Sequence, residues 1–176
     1  MQLRDGREIV IVPLSRKITS KSLLTYINGI IDEDLYLTYD KKFTLKQQKE
    51  WCKDTLNNIK SRNSLYYAAI YNKKIIGSTS AKRGIGRDRT NICLGVAISK
   101  GFRGVGLGEI LMSKVIKETK KRLKPINKIW LTVSAPNRPA MALYKKLGFK
   151  QVAKLKNWSK YKGKYIDVVY MVGKMD

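Results

Sequence analysis

The chain has 176 residues, a hydrophobic content of 43% and a formal net charge of +24, which suits a single globular domain over residues 1–176. It has no histidine, and its two cysteines, Cys52 and Cys93, lack CxxC spacing, which argues against a disulfide scaffold, a zinc enzyme or a Ser-His-Asp hydrolase. No segment approaches the roughly 20 apolar residues that span a bilayer, and residues 1–8 are too charged to open a signal peptide. We therefore expect a cytoplasmic protein without a membrane partner.

Periodicity predicts a strand followed by two helices at the start of the chain. Polar and apolar residues alternate over 8–14, which indicates a strand, and apolar residues recur at helical spacing over 18–31 and 44–60. Thr44 followed by Gln47 fits a capping box at the start of the second helix.

A hairpin and a central strand come next. β-Branched and aromatic residues dominate 65–71 and 74–81, with Asn72 and Lys73 at the turn between them. The strand over 89–98 contains a nearly continuous apolar run over 92–98, so we expect it to be central and covered on both faces. Cys93 within it is predicted to be a small buried residue rather than a nucleophile.

A glycine-rich turn joins this strand to an amphipathic helix that begins at Glu109. Glycines allow positive φ and a close approach to a ligand, and the free amides that open a helix attract phosphate oxygens. The turn therefore predicts a phosphate-bearing cofactor, and tight strand-to-helix packing is the alternative. Its residues are Arg103, Gly104, Val105, Gly106, Leu107 and Gly108.

The last third predicts a strand, a short helix and two more strands. A strand over 129–134 precedes Asn137, a good N-cap for a helix over 138–146. Strands over 149–155 and 164–172 follow, joined by a basic, aromatic loop.

Two ordered motifs resemble the GNAT family of N-acetyltransferases. The family's cofactor signature is Arg or Gln, two residues, Gly, one residue, then Gly or Ala, which Arg103, Gly106 and Gly108 match. Residues 137–149 resemble a second signature, an Asn before a helix that contains Leu-Tyr and is followed by Gly-Phe. The resemblance covers nearly the whole chain and is weakest over 1–64. It implies an α/β (α+β) fold, with a mixed, mostly antiparallel sheet of six to seven strands and about four helices on both faces.

The resemblance also implies the substrates and several site residues. Acetyl-CoA would be the acyl donor, with no metal, and an amine would attack it directly in a ternary complex. The acceptor would be a protein N-terminus, a peptide or a small molecule, and a homodimer through the C-terminal strands is one implied assembly. The family's cofactor contacts correspond here to the backbone of Val96, Ala97 and Ile98, the amides from Arg103 through Gly108, and the side chains of Asn137 and Tyr144.

Tyr144 is the implied general acid, because a tyrosine hydroxyl can stabilise the thiolate leaving group by hydrogen bonding or by donating a proton. The alternative is that Tyr144 only packs its ring under the sheet. An N-cap role alone would likewise account for Asn137.

The general base has no clear candidate. Many family members have a glutamate on the central strand, whereas residues 92–98 contain no carboxylate. Asp88 before the strand, or Glu33 and Asp34 in an acidic cluster, would take the proton through water or orient a cationic acceptor, and a solvated loop acid is the alternative for each. A missing base favours an α-amine or another small amine, since an α-amine has a pKa near 8 and a lysine one near 10.4.

Two other functions are alternatives to this one. The basic surface would suit a binding module that keeps the fold but acts on nucleic acid or a ribosome, with Tyr161 and Tyr165 interleaved among lysines for base stacking. A dinucleotide fingerprint would need a further glycine and an acidic residue about 20 positions on, which the chain does not supply.

Overall fold

The computed structural model describes residues 1–34 and 36–173, and within them seven strands and four helices follow one another. Residues 35 and 174–176 of the predicted domain lie outside the described part. In chain order the elements are β1 (Val10–Pro13), α1 (Ser20–Asp32), α2 (Leu45–Lys60), β2 (Ser64–Tyr71), β3 (Lys74–Arg83), β4 (Asn91–Ile98), α3 (Leu107–Arg122), β5 (Lys128–Ser134), α4 (Arg138–Lys146), β6 (Lys150–Tyr161) and β7 (Lys164–Gly173).

The strands form one sheet in the order β1-β2-β3-β4-β5-β7-β6. β4 and β5 run parallel, whereas β1–β2, β2–β3, β5–β7 and β6–β7 are antiparallel pairs. This mixed, mostly antiparallel sheet with four helices confirms the predicted fold. None of the described helices is long and apolar enough to cross a membrane.

The described residues cluster into two compact units. The first comprises Met1–Lys82 and Gly95–Lys124, and its core includes the fully buried side chains of Leu23, Ile30, Leu107 and Leu111. The second comprises Arg83–Leu94 and, within the described part of the chain, residues 125–173, and its core includes Ile129, Leu131 and Met171.

Local sequence signals account for the helix starts in the first unit. Thr19 caps α1 by accepting from the backbone N–H of Ser22, at 3.1 Å. The predicted capping box of α2 is confirmed, since the Thr44 hydroxyl accepts from the Gln47 N–H and the Gln47 side chain accepts from the Thr44 N–H. Each contact satisfies a backbone donor that the helix leaves without a partner.

The predicted hairpin is confirmed as β2 and β3, with Asn72 and Lys73 both at positive φ (46° and 61°), as in the two-residue turn that matches strand twist. The first strand is shorter than the predicted 8–14: β1 spans only Val10–Pro13. α3 begins at Leu107 rather than Glu109, because Gly106 adopts the left-handed conformation and serves as its N-cap.

The central strand and its cysteine differ from the prediction. β4 lies in the middle of the sheet, but among its residues Ile92 and Leu94 are buried whereas Cys93 and residues 95–98 are half-buried. The prediction of a strand covered on both faces and of a buried Cys93 was therefore wrong. An apolar run indicates that a strand is hydrophobic, but it does not indicate whether other elements pack on both faces of that strand.

The predicted basic, aromatic loop near the C-terminus was also wrong. β6 continues to Tyr161, and a two-residue turn of Lys162 (φ 48°) and Gly163 (φ 77°) leads directly into β7. A lysine rarely adopts positive φ, so Lys162 gave little indication that a tight turn joins β6 to β7.

Candidate active site

The end of β4 presents a backbone edge where the sequence predicted cofactor contacts. The parallel ladder with β5 joins Asn91, Ile92 and Cys93 to residues 128–130, and β4 continues beyond that ladder to Ile98. The predicted pantetheine contacts, residues 96–98, are the last three of the strand.

Side chains of the first unit hold two carbonyl groups of β4. The Tyr26 hydroxyl donates to the Ala97 carbonyl at 2.8 Å and shares a hydrogen bond with Ser78 at 3.1 Å, and the Thr79 hydroxyl donates to the Gly95 carbonyl at 2.9 Å. In an extended strand the N–H and C=O of one residue point to one edge, and successive residues alternate. The backbone of Val96 therefore points to the opposite edge from that of Ala97.

Arg103, the first residue of the cofactor signature, closes the turn after β4 instead of pointing away from the protein. Its Nε and Nη2 atoms donate to the Ile98 carbonyl at 2.8 and 2.7 Å, and Nη2 forms an ion pair with Glu33 Oε2. Glu33 Oε1 accepts from the Lys100 backbone N–H at 3.0 Å. Both oxygens of Glu33 are thus occupied in holding the segment between β4 and α3, an arrangement that favours positioning over proton abstraction.

The glycine turn has the conformation that a phosphate cradle requires. Gly104 and Gly106 adopt φ values of 76° and 89°, which residues with a side chain rarely adopt. The first hydrogen bond of α3 runs from the Ile110 N–H to the Gly106 carbonyl, so the amides just before Ile110 have no partner within the helix. Leu107 is part of the core, and Val105 packs against it.

Arg4 lies beside this turn, a position that neither periodicity nor motif spacing indicates. Its backbone N–H donates to the Val105 carbonyl at 3.1 Å, and its guanidinium forms a 3.0 Å ion pair with Glu109 in the first turn of α3. A Cβ atom on Gly106 would lie 3.2 Å from Arg4 Nε. A positive charge therefore lies directly at the opening of α3, where the phosphate contacts were predicted.

The other predicted acids, Asp88 and Asp34, both lie on the surface. Asp88 is exposed in a short 3-10 turn before β4, whereas Val96 is near the far end of that eight-residue strand. Asp34 is exposed and has φ 48°. Within the described residues, no group of three or more His, Cys, Asp or Glu is arranged to hold a metal ion.

Asn137 and Tyr144 lie on α4, in the second unit. The Asn137 side chain accepts from the Ala140 N–H at 3.3 Å, which confirms its predicted N-cap position. Tyr144 is 6% exposed, and its ring lies 6.1 Å from that of Phe149. Burial raises the pKa of the Tyr144 hydroxyl to about 12, so this group is neutral at physiological pH.

Comparison with known proteins adds the decisive observation: the profile of the acetyltransferase (GNAT) family matches residues 30–149. The chain belongs to this family. A [ribosomal protein bS18]-alanine N-acetyltransferase of Haemophilus influenzae is 29% identical over 133 residues, which cover 74% of this chain and 87% of that relative. The motif-based assignment is confirmed, and the protein is an acyl-CoA-dependent N-acetyltransferase.

Solved structures agree with this GNAT assignment in fold. A GNAT acetyltransferase of Streptococcus pneumoniae superposes with a TM-score of 0.83 at 24% identity. The superposed region covers 94% of this chain and 98% of the Streptococcus pneumoniae chain. A GNAT phosphinothricin acetyltransferase of Sinorhizobium meliloti, in complex with acetyl-CoA, superposes with a TM-score of 0.76 at 16% identity, covering 93% and 86%. Acetyl-CoA is the ligand of that Sinorhizobium meliloti enzyme, and the likeness shows the fold of this chain.

Proposed function

We propose that the protein acetylates an α-amine, at a protein N-terminus, on a peptide or on a small molecule. The observation that carries this proposal is the state of the acids around β4: the strand has no carboxylate, and both oxygens of Glu33 are engaged. Without a base, the acceptor must reach the thioester already neutral. Near neutral pH about a fifth of an α-amine is neutral, against about one in a thousand for a lysine amine.

The similar Haemophilus influenzae enzyme supports the same acceptor class. Its name specifies an alanine N-acetyltransferase, and an alanine side chain carries no nitrogen, so the acetylated atom there is the α-nitrogen. We extend that acceptor chemistry to this chain as part of the proposal.

The first unit would hold acetyl-CoA by its backbone. We assign the pantetheine amides to the edge of β4 that Val96 presents, and the pyrophosphate to the amides of the glycine turn, with Arg4 adding positive charge. Glu33 and Arg103 would act as positioning residues, because they fix the turn without using their own charges on the ligand. The amides that open α3, left-handed glycines and a nearby guanidinium together fit a pyrophosphate.

Tyr144 would act on the leaving group as a hydrogen-bond donor. As the neutral amine attacks, its nitrogen bonds to the acetyl carbon, the carbon–sulfur bond breaks, and water removes the extra proton from nitrogen. The pKa of Tyr144 is raised to about 12, whereas thiols have a pKa of roughly 8.5. Complete transfer of the tyrosine proton to the thiolate would therefore be unfavourable, and a hydrogen bond that strengthens as charge develops would suffice.

The test is the release of CoA thiol from acetyl-CoA with two matched peptides. One has a free N-terminus and no lysine, and the other has a blocked N-terminus and one lysine. We expect turnover of the first peptide alone, with kcat/KM rising as pH approaches the pKa of its α-amine. Preference for the lysine peptide would overturn the proposal, and saturable acetyl-CoA binding without acetyl transfer would favour the binding-module alternative.

The homodimer, the cytoplasmic location and the single domain stay predictions. Sedimentation of the full chain measures the first, and its fractionation in the source cell measures the second. A single cooperative unfolding transition is the expected result for the third.

A further inference from the structure

The C-terminal hairpin of β6 and β7 lies within the second unit and contains none of the residues assigned above to acetyl-CoA. β6 is an edge strand of the sheet and is exposed along most of its length. Trp158 is 63% exposed and Tyr165 is 66% exposed, so two large aromatic rings of this hairpin face solvent.

The two aromatic residues lie close together on the hairpin. Lys160 is paired directly with Tyr165 across the antiparallel ladder. Trp158 precedes Lys160 by two residues, a rise of roughly 7 Å along a strand. An exposed ring, a lysine and a second exposed ring therefore lie within a short stretch of the ribbon.

The charge of the hairpin is strongly positive. Asp167 is the only acidic residue between positions 150 and 173, and Lys154 forms a 2.8 Å ion pair with it. Asp167 also accepts from the Asn157 backbone N–H at 3.0 Å. The six lysines of this segment are Lys150, Lys154, Lys156, Lys160, Lys162 and Lys164.

Protection of a sheet edge explains only part of this pattern. Lysines on an exposed edge strand discourage pairing with other chains. Trp158 and Tyr165 have the opposite tendency, because exposed aromatic rings promote association. Aromatic rings interleaved with lysines suit a ligand that has both flat apolar faces and negative charge.

We propose that the β6–β7 hairpin binds single-stranded RNA. Trp158 and Tyr165 would stack on bases, while Lys156 and Lys160 contact phosphates, the combination by which proteins hold single strands with little sequence preference. We commit to RNA because its unpaired loops and ends are the form in which proteins usually recognise it. This inference is independent of the acceptor proposed above.

The test is fluorescence anisotropy of a labelled 12-nucleotide RNA of mixed sequence, titrated with the full chain between 50 and 200 mM salt. We expect Trp158→Ala and Tyr165→Ala each to weaken binding roughly five- to hundredfold. Tyr39→Ala is the matched control, because Tyr39 is 55% exposed in the segment before α2, and it should change affinity less than twofold. Thermal unfolding checks that each variant folds.

A pair of charge variants separates this surface from the general attraction of a +24 protein. Lys156→Gln with Lys160→Gln should reduce the slope of log affinity against log salt by about 1.4, and Lys49→Gln with Lys53→Gln, on the exposed side of α2, should leave it unchanged. Equal effects of the two pairs, with no effect of the aromatic variants, would overturn the proposal.

Two further outcomes would also overturn it. Equal or tighter binding of a DNA strand of the same sequence would refute the assignment to RNA. Unchanged RNA affinity together with loss of self-association in Trp158→Ala would assign the hairpin to a second copy of the chain. Acetyl transfer to a small α-amine is measured separately and should be unaffected by Trp158→Ala, so failure here leaves the proposed acceptor untouched.

Discussion

Glu33 and Arg103, 70 residues apart in the chain, form an ion pair that joins the end of α1 to the turn before α3. The same carboxylate accepts from the Lys100 backbone N–H, and the same guanidinium donates to the Ile98 carbonyl. The signature arginine thus acts here through the shape of the turn. Its charge is paired with Glu33 inside the protein, so under the proposed binding mode the backbone amides, and not this side chain, would meet the phosphates.

Glu33→Gln should weaken acetyl-CoA binding without removing a base. We expect KM for acetyl-CoA to rise about three- to tenfold with kcat nearly unchanged, because the variant loses a charge-assisted contact but keeps a polar oxygen for Lys100. Steady-state kinetics with varied acetyl-CoA measure this. A fall in kcat of about a hundredfold or more would instead identify Glu33 as the general base.

Gly106→Ala should impair both the turn and cofactor binding. The left-handed conformation of Gly106 should cost an alanine about 1–2 kcal/mol of folding stability, and its Cβ would lie 3.2 Å from Arg4 Nε. Calorimetric titration should show at least a tenfold loss of acetyl-CoA affinity. Gly101→Ala is the matched control in the same segment, because a Cβ there meets nothing within 4 Å. Equal affinity of the two variants would contradict the cradle.

Arg4→Ala should lower acetyl-CoA affinity by about threefold and reduce its salt dependence. The guanidinium is 64% exposed, so solvent screens most of its effect. Arg16→Ala, which removes an exposed arginine from the loop before α1, serves as the control. Identical salt dependence in both variants would leave Arg4 as a partner of Glu109 alone.

Tyr144→Phe should reduce kcat about ten- to hundredfold and leave the dissociation constant of acetyl-CoA nearly unchanged, because the hydroxyl acts on the leaving group. Single-turnover rates with the free-N-terminus peptide measure the chemical step. Wild-type turnover in the variant would show that Tyr144 has a packing role only.

Burial of Tyr144 also predicts a loss of stability at high pH. Its pKa is raised in the folded state to about 12, whereas an unfolded tyrosine has a pKa near 10. The unfolded chain therefore loses its proton first, and the free energy of unfolding should fall as pH rises from about 10 to about 12, by up to 1.4 kcal/mol per pH unit for this group. Urea denaturation across that range should show a shallower fall in Tyr144→Phe, and an unchanged slope would refute the assignment.

Local signals in the sequence were sufficient to predict α4 and the glycine turn. Asn137 as an N-cap and Gly106 at positive φ are decided by neighbouring residues, so their spacing alone carries the information. The contacts of Arg4 with Glu109 and of Tyr26 with Ala97 join residues 105 and 71 positions apart. Periodicity and motif spacing do not predict contacts between such distant residues, because these contacts depend on how the helices pack.

α1 is attached to the segment that begins with β4 at two points. Tyr26 bonds to Ala97 in the middle of the helix, and Glu33 holds Lys100 and Arg103 at its end. Any displacement of this strand end by bound acetyl-CoA would therefore move α1 and the residues that follow it. By thermodynamic reciprocity, a ligand held by those residues changes the affinity for acetyl-CoA by the same factor by which acetyl-CoA changes the affinity for that ligand. Under the proposed binding mode, the Tyr26 hydroxyl and the Glu33 carboxylate would thus couple the binding of acetyl-CoA to the binding of a ligand near α1.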